Sequence, residues 1–195
     1  MRPAVFFDRD DTLITCRAVV PDGDLGDPAL VQLRPYADSA CQRLKDAGFT
    51  LVVVSNQGGV ARGRYDEAAV HAVNERVNEL LGGLIERFYF CPHHPKGTVA
   101  AYTREHPWRK PAPGMLLAAA RDMDLDLARS WMVGDSPRDA QAGSAAGCRS
   151  ILLDTAEYGP TAPSAANSGA DFQARNLAEA ATIIVHDVQQ AALTP

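Results

Sequence analysis

The chain has 195 residues, of which 46% are hydrophobic and 22% charged, a composition typical of a globular domain with a buried core. Its formal net charge is −5 and its Lys and Arg residues are scattered, which argues against binding to nucleic acid or to an anionic membrane. No apolar run is long enough for a transmembrane helix, and no cleavable signal segment precedes the first strand. We therefore expect a cytoplasmic monomer with one domain over residues 1–195, four reduced cysteines and a small-molecule partner.

Strands and helices are predicted to alternate along the chain, from apolar runs and from apolar stripes at helical spacing. In chain order the elements are a strand at 4–7, a helix at 35–49, a strand at 50–55, a helix at 66–83, a strand at 86–91, a helix at 114–123, a strand at 130–135, a helix at 137–147, a strand at 149–153 and a helix at 177–190. This alternation predicts an α/β fold, with a mostly parallel sheet between two layers of helices.

Three stretches interrupt the alternation. Residues 16–33 and 91–114 are loops rich in Pro or Gly, and loops of this length in a compact domain are usually functional. Residues 157–171 contain small residues and turn formers but nothing that could anchor a core. We find no repeat and no second domain.

Acidic and polar side chains follow the predicted strands. Asp8 comes after the first strand, Ser55 ends the second and Asp135 ends the fourth. In an open parallel sheet the ligand crevice lies outside these carboxyl ends. Repulsion among Asp8, Asp10, Asp135 and Asp139 calls for a hard divalent cation, and Mg²⁺ suits oxygen ligands while keeping waters that a phosphate can replace.

Four segments resemble the ordered motifs of phosphatases in the haloacid dehalogenase (HAD) superfamily: "DRDDT" at 8–12, "SNQ" at 55–57, "RKPAPGM" at 109–115 and "GDSPRDAQAG" at 134–143. The resemblance implies a Rossmann-like, three-layer α/β/α fold. It also implies that Asp8 attacks a phosphate monoester to give an aspartyl-phosphate, and that Asp10 acts as general acid and base. Ser55 and Lys110 would hold the phosphoryl oxygens.

The same resemblance implies how magnesium would be held. Its ligands would be the Asp8 carboxylate, the main-chain carbonyl of Asp10 and the Asp135 carboxylate. Asp139 is expected directly behind these ligands. The alternative for Asp139 is a carboxylate in the first turn of a helix, where it complements the helix dipole.

Within the superfamily, "SNQGGVARG", "FYFCPHHPKG" and "RKPAPGMLLAA" closely resemble the bacterial D-glycero-D-manno-heptose 1,7-bisphosphate phosphatases and their histidinol-phosphate phosphatase relatives. Those enzymes have no large cap domain and cover the site with loops. The expected reaction is removal of the 7-phosphate from a heptose 1,7-bisphosphate. Histidinol phosphate or another small monoester is one alternative, and a non-catalytic phosphosugar-binding module is another.

A second anionic group on the substrate would be bound by Arg62 and Arg109, because guanidinium groups bind phosphate in bidentate fashion, with Asn56 also assigned to substrate binding. For Arg62 the alternative is a solvated surface arginine.

Members of this family bind zinc through a Cys-x-His pair and a later Cys-x-Cys pair. Here Cys91 and His93 match the first pair, whereas His106 and Trp108 occupy the second. Cys91, His93 and His106 therefore remain as three candidate zinc ligands, with His94 or water as a fourth. The alternative is a loop without metal, in which Trp108 fills the space by packing.

Two more positions depart from the family pattern. Asp11 stands where the motif usually has Gly; Asp tolerates unusual backbone angles but adds charge beside the nucleophile. Ser136 follows Asp135 where the heptose bisphosphate phosphatases commonly have Lys, so a cation expected near the substrate is missing at that position.

Overall fold

The computed structural model describes residues 1–154 and 169–193. Within them the strands are β1 Ala4–Phe7, β2 Thr50–Asn56, β3 Arg87–Cys91, β4 Trp131–Gly134, β5 Arg149–Leu153 and β6 Phe172–Ala174. The helices are α1 Ala37–Asp46, α2 Glu67–Leu80, α3 Gly114–Met123, α4 Pro137–Ala146 and α5 Leu177–Leu193. The strands form one parallel sheet in the order β3-β2-β1-β4-β5-β6, which confirms the predicted α/β fold.

The central strand β1 is buried on both faces, because successive side chains of a strand point in opposite directions. Val5 and Phe7 pack into one apolar cluster with α1, α2 and α5. Ala4 and Phe6 pack into a second cluster with α3 and α4. The short apolar run "AVFF" thus anchors both helical layers, and the molecule has the three layers expected from the alternation of elements.

The register of the sheet determines which loops meet at its carboxyl edge. Phe7 of β1 is paired with Val53 of β2 and with Val133 of β4. The next backbone N–H along β1, that of Asp8, donates to the Val133 carbonyl at 3.0 Å. The residues that follow β1, end β2 and follow β4 therefore lie side by side.

The predicted loops contain little regular structure. The stretch 16–33 has one 3₁₀ turn at Pro28–Leu30, and 91–114 has one at Ala100–Tyr102. The prediction for 157–171 falls mostly on residues 155–168, which lie outside the described residues. Strand β6 was not predicted. None of the described helices has the length and apolarity to cross a bilayer.

Candidate active site

Three buried carboxylates lie together where β1 and β4 end. One ligand oxygen from each of Asp8, Asp135 and Asp139 lies within 4.8 Å of the others. Gly134 makes room for this arrangement, since a Cβ atom there would lie 2.4 Å from Cβ and Oδ2 of Asp139. Asp139 Oδ2 also accepts a hydrogen bond from the Ser136 N–H at 3.0 Å. Asp139 thus combines both alternatives from the sequence: it closes the first turn of α4 and it joins the acidic cluster.

Lys110 is the buried cation that two of these acids share. Its Nζ atom lies 2.9 Å from Asp8 Oδ1 and 2.7 Å from Asp139 Oδ1, and it donates to the Val54 carbonyl at 2.7 Å. The contact between Lys110 and Asp139 is an ion pair without a well-aligned hydrogen bond, because Asp139 Oδ1 has no hydrogen-bond partner among the described residues. Burial alone would lower the pKa of Lys110, but Asp139 and Asp8 outweigh it and raise the pKa, so the ammonium group stays charged.

Asn56 fixes the main chain of Lys110 to the end of β2. Its Oδ1 accepts from the Lys110 N–H and its Nδ2 donates to the Lys110 carbonyl, both at 3.0 Å. The side chain was predicted to bind substrate, and it does line the cavity described below, but its amide is occupied in positioning Lys110. Neighbouring Ser55 is buried, and its hydroxyl accepts from Gln57 Nε2 at 2.7 Å.

Asp135 has a weaker counter-ion than Asp8. Its Oδ2 lies 3.2 Å from Arg17 Nη1, and the Arg17 side chain is 54% exposed. Burial, followed by repulsion from Asp8 and Asp139, raises the pKa of Asp135 to about 7. The cluster therefore carries negative charge that Lys110 and Arg17 do not fully balance. Its oxygen-only donors fit a hard divalent cation such as Mg²⁺.

Asp10 faces a separate network. Arg9, which is fully buried, donates to its carboxylate through Nε at 3.0 Å and Nη2 at 3.2 Å, and Gln57 Nε2 donates to its Oδ2 at 2.7 Å. Burial raises the pKa of Asp10, although Arg9 acts in the opposite direction. Sequence reasoning did not assign a role to Arg9. The only sign of such a role in the sequence was the position of a charged residue between Asp8 and Asp10.

Asp11 has the backbone conformation for which the family motif uses Gly. Its φ is 60°, in the left-handed region. Its Oδ1 accepts from the Cys16 N–H at 2.9 Å and the Arg17 N–H at 3.0 Å, and its Oδ2 lies 2.7 Å from Arg17 Nη1. The extra charge beside the nucleophile is therefore paired, and it ties down the start of the 16–33 loop.

A cavity of about 210 Å³ joins these groups to a set of basic side chains. The predicted substrate-binding residues Arg62 and Arg109 both line it. Arg62 is paired with Asp24, its Nε donating to Oδ2 at 2.8 Å, whereas within residues 1–154 and 169–193 Arg109 donates only to the His93 carbonyl, at 3.1 Å. The full lining is Asp8, Asp10, Arg17, Asp22, Gly23, Asp24, Asn56, Gly58, Arg62, His94, Arg109, Lys110 and Arg138.

The candidate zinc ligands lie close together but have protein partners. Cys91 Sγ is 4.0 Å from His106 Nδ1, and the His93 and His106 rings stack with centroids 4.4 Å apart. The Trp108 N–H donates to His106 Nδ1 at 3.1 Å, and Arg104 Nη2 lies 3.2 Å from His93 Nε2. Both imidazole lone pairs thus face N–H donors, so these residues as arranged do not fit a zinc ion.

Comparisons with known proteins point to one family. A HAD-hydrolase-like family model matches residues 107–180. The D-glycero-β-D-manno-heptose-1,7-bisphosphate 7-phosphatase of Yersinia pestis is 37% identical over 180 residues, which are 91% of this chain and 92% of that protein. The D-glycero-D-manno-heptose-1,7-bisphosphate 7-phosphatase of Thermosynechococcus vestitus is 45% identical over 161 residues, 79% and 80% of the two chains. The crystal structure of D,D-heptose 1,7-bisphosphate phosphatase from B. bronchiseptica, complexed with magnesium and phosphate, is similar with a TM-score of 0.75 and 30% identity, covering 95% of this chain and 99% of that one.

Proposed function

The chain belongs to the heptose-1,7-bisphosphate 7-phosphatase family of HAD-like phosphatases, and we propose that it hydrolyses the 7-phosphate ester of a D-glycero-D-manno-heptose 1,7-bisphosphate. One observation carries the proposal: a single small cavity is lined both by the buried Asp8–Lys110 pair and by several arginines. The first group suits phosphoryl transfer, and the second suits another anionic group on the same molecule.

In the proposed reaction Asp8 forms a bond to phosphorus while the bond from phosphorus to the sugar oxygen breaks. Asp8 Oδ1 is held by Lys110 and by the Arg9 N–H at 2.8 Å, and among the described residues Oδ2 has no hydrogen-bond donor. Asp10 gives its proton to the departing sugar oxygen. It then takes a proton from the water that hydrolyses the aspartyl-phosphate, so that Asp8 and inorganic phosphate are released.

The raised pKa of Asp10 supports the first of these proton transfers, because its carboxyl group holds a proton to higher pH than an ordinary aspartate does. Lys110 and Ser55 would bind the transferring phosphoryl oxygens. Asp8, Asp135 and the Asp10 carbonyl would hold Mg²⁺, with Asp139 behind them. Bound there, Mg²⁺ would offset the charge of the acids and of the phosphoryl group.

We also infer that the 91–114 loop is held without zinc. Arg104 provides the positive charge next to His93, and the Trp108 ring packs edge-on against Tyr89 with centroids 5.9 Å apart. Together with the stacked imidazoles, these contacts replace the cross-links that a metal makes in relatives with a full set of ligands.

The test is a comparison of kcat/KM with Mg²⁺ on heptose 1,7-bisphosphate, histidinol phosphate and simple sugar monophosphates. We expect the bisphosphate to lead histidinol phosphate by about tenfold or more, a gap of ~1.4 kcal/mol in transition-state binding. Asp8→Asn should reduce turnover to background. Asp38→Asn, on the exposed face of α1, should leave turnover unchanged.

Each of the alternatives gives a different result. Turnover that survives Asp8→Asn would refute the covalent mechanism. A lead for histidinol phosphate would overturn the proposed substrate. Phosphate binding by the unmodified protein without any hydrolysis at saturating Mg²⁺ would favour the non-catalytic alternative.

A further inference from the structure

Two of the arginines that line the cavity form no ion pair with a carboxylate in the described part of the chain. Of the cavity's four arginines, Arg62 is paired with Asp24, and Arg17 with Asp11 and Asp135. Arg109 and Arg138 have no acidic side chain within 4.0 Å in that part of the chain. Arg109 donates to one backbone carbonyl, and Arg138 makes no hydrogen bond to a described residue.

These cations lie near enough to repel one another. Burial lowers the pKa of Arg109, and the positive charges of Arg138 and Arg62 lower it further, although Cys91 and Glu105 act in the opposite direction. A group of guanidinium ions around one cavity is stabilised when an anion enters it, just as the acidic cluster is stabilised by a metal ion. The protein thus has one end of the cavity suited to a cation and another suited to an anion.

Arg138 also has an unusual place in the fold. It lies in the first turn of α4, where the helix dipole favours acidic residues and disfavours cations. It is two residues after Ser136, at which the expected lysine is missing. An arginine there is understandable if its guanidinium serves the cavity that it lines.

The opposite side of this basic region is made by side chains that converge on Gly58. A Cβ atom on Gly58 would lie 3.0 Å from Arg62 Nη1, 3.4 Å from Arg109 Nη1 and 3.1 Å from His94 Cδ2. His94 Nδ1 accepts from the Lys96 N–H at 2.9 Å, which leaves the ring proton on Nε2 as a donor. Hydrogen-bond donors from three side chains therefore surround the backbone at Gly58, which has no side chain of its own.

We propose that Arg138 is a specificity-determining residue that binds the second phosphate group of the substrate, together with Arg109 and His94. From two residues further along the same segment, it supplies a cation in place of the one absent at position 136. A guanidinium group can hold two phosphate oxygens at once, so this contact would also orient the sugar. The inference rests on the proposed function, because it assumes a substrate with two phosphates.

The experiment compares heptose 1,7-bisphosphate with heptose 7-phosphate, which has the same leaving group but lacks the second phosphate. We expect Arg138→Ala to lower kcat/KM on the bisphosphate by about 10- to 100-fold, mainly through KM. The loss on the 7-phosphate should be at least about tenfold smaller. Arg138→Lys should restore part of the preference for the bisphosphate over the 7-phosphate. The matched control is Arg121→Ala, on the exposed face of α3.

Thermal unfolding of each variant shows whether it is folded, and the ratio of the two substrates cancels any loss of active protein. An equal loss on both substrates, or none, would overturn the role of Arg138 while leaving the proposed function intact. If the unmodified enzyme itself showed no preference for the bisphosphate over the 7-phosphate, the two-phosphate substrate would be wrong, and the inference would fall with it.

Discussion

Asp8 and Asp10 are two residues apart but lie in different electrostatic environments. Asp8 is held by the ammonium group of Lys110, whereas the partly buried Asp10 accepts hydrogen bonds from Arg9 and Gln57 and has a raised pKa. Two carboxyl groups on one turn therefore have different partners and different surroundings. That difference is what a nucleophile and a general acid require of two neighbouring acids.

Replacing the proton donor gives a test at the scale of this residue. Asp10→Asn keeps the size of the side chain but cannot protonate the departing oxygen. We expect kcat/KM on a sugar phosphate to fall by about 10²- to 10⁴-fold. On p-nitrophenyl phosphate, whose leaving group needs no proton, the fall should be about tenfold or less.

Because kcat/KM reports only the first irreversible step, the later role of Asp10 as a base does not affect this comparison. Asp122→Asn, on the surface, is the control. Equal losses on the two substrates would assign Asp10 a purely structural role.

The resemblance of four ordered motifs to those of HAD phosphatases led to the proposal of the candidate reactive residues from sequence. Asp8, Asp10, Lys110 and Asp135 are all found at the one cavity or acidic cluster. Arg17 and Arg138 were not identified. Arg17 lies in the 16–33 loop, and no sequence pattern predicts that this loop folds back over the acidic cluster. Arg138 lies on α4, and the orientation of that helix about its axis determines whether the side chain lines the cavity.

At the scale of elements, long apolar patterns predicted the bounds of the helices and central strands closely. Short elements could not be predicted in this way. Strand β6 has three residues, of which Phe172 and Gln173 are exposed, so it has no apolar run to detect. It forms because β5 offers an open edge with which it pairs from Phe172 to Ala174. Pairing of this kind depends on the sheet already present, which a local pattern does not encode.

Side-chain contacts hold the 91–114 loop in place. The Asn56 contacts fix Lys110 at one end, and the cluster of Cys91, His93, His106 and Trp108 fixes the segment before it. The sequence left zinc and packing as equal alternatives. Our inference of a zinc-free loop rests on Arg104 and on the Trp108 main-chain N–H, whose contacts only the folded loop reveals.

Restoring the missing ligands should convert this loop to a zinc site. The double variant His106→Cys, Trp108→Cys provides donors at positions 91, 93, 106 and 108, and it should bind about one equivalent of zinc. Without metal it should be less stable by roughly 1–3 kcal/mol, because the packing of Trp108 on Tyr89 is lost, and zinc should reverse this loss.

Metal analysis of the purified proteins, with unfolding measured before and after a chelator, checks the prediction. The unmodified protein should contain less than about a tenth of an equivalent of zinc, and Trp108→Phe should behave like it. Near-stoichiometric zinc in the unmodified protein would show that the loop does use the metal.

On the scale of the whole molecule, the sheet order brings acids from β1 and β4 to the same edge, and this could be predicted from the alternation of elements. The rule that parallel strands collect ligands at their carboxyl ends does not depend on individual side chains. The balance of charge at that edge does depend on them. Burial and repulsion from Asp8 and Asp139 raise the pKa of Asp135 to about 7 although Arg17 opposes the shift, so this one group should couple metal binding to pH near neutrality.

The direction of this coupling follows from the raised pKa of Asp135. Below about pH 7 the carboxyl group of Asp135 is protonated, which opposes Mg²⁺ binding, and above it the ionised group favours Mg²⁺. The metal-free protein should lose stability as the pH rises from 3.8, the ordinary pKa of an aspartate, to about 7. We therefore expect Mg²⁺ to bind about tenfold more tightly at pH 8 than at pH 6, and to raise the unfolding temperature more at pH 8.

Calorimetric titration of the protein with Mg²⁺ at both pH values checks this prediction. The variant Asp135→Asn is expected to bind Mg²⁺ weakly and without that pH dependence. Equal affinities at the two pH values, or tighter binding at pH 6, would mean that Asp135 does not ionise on binding the metal.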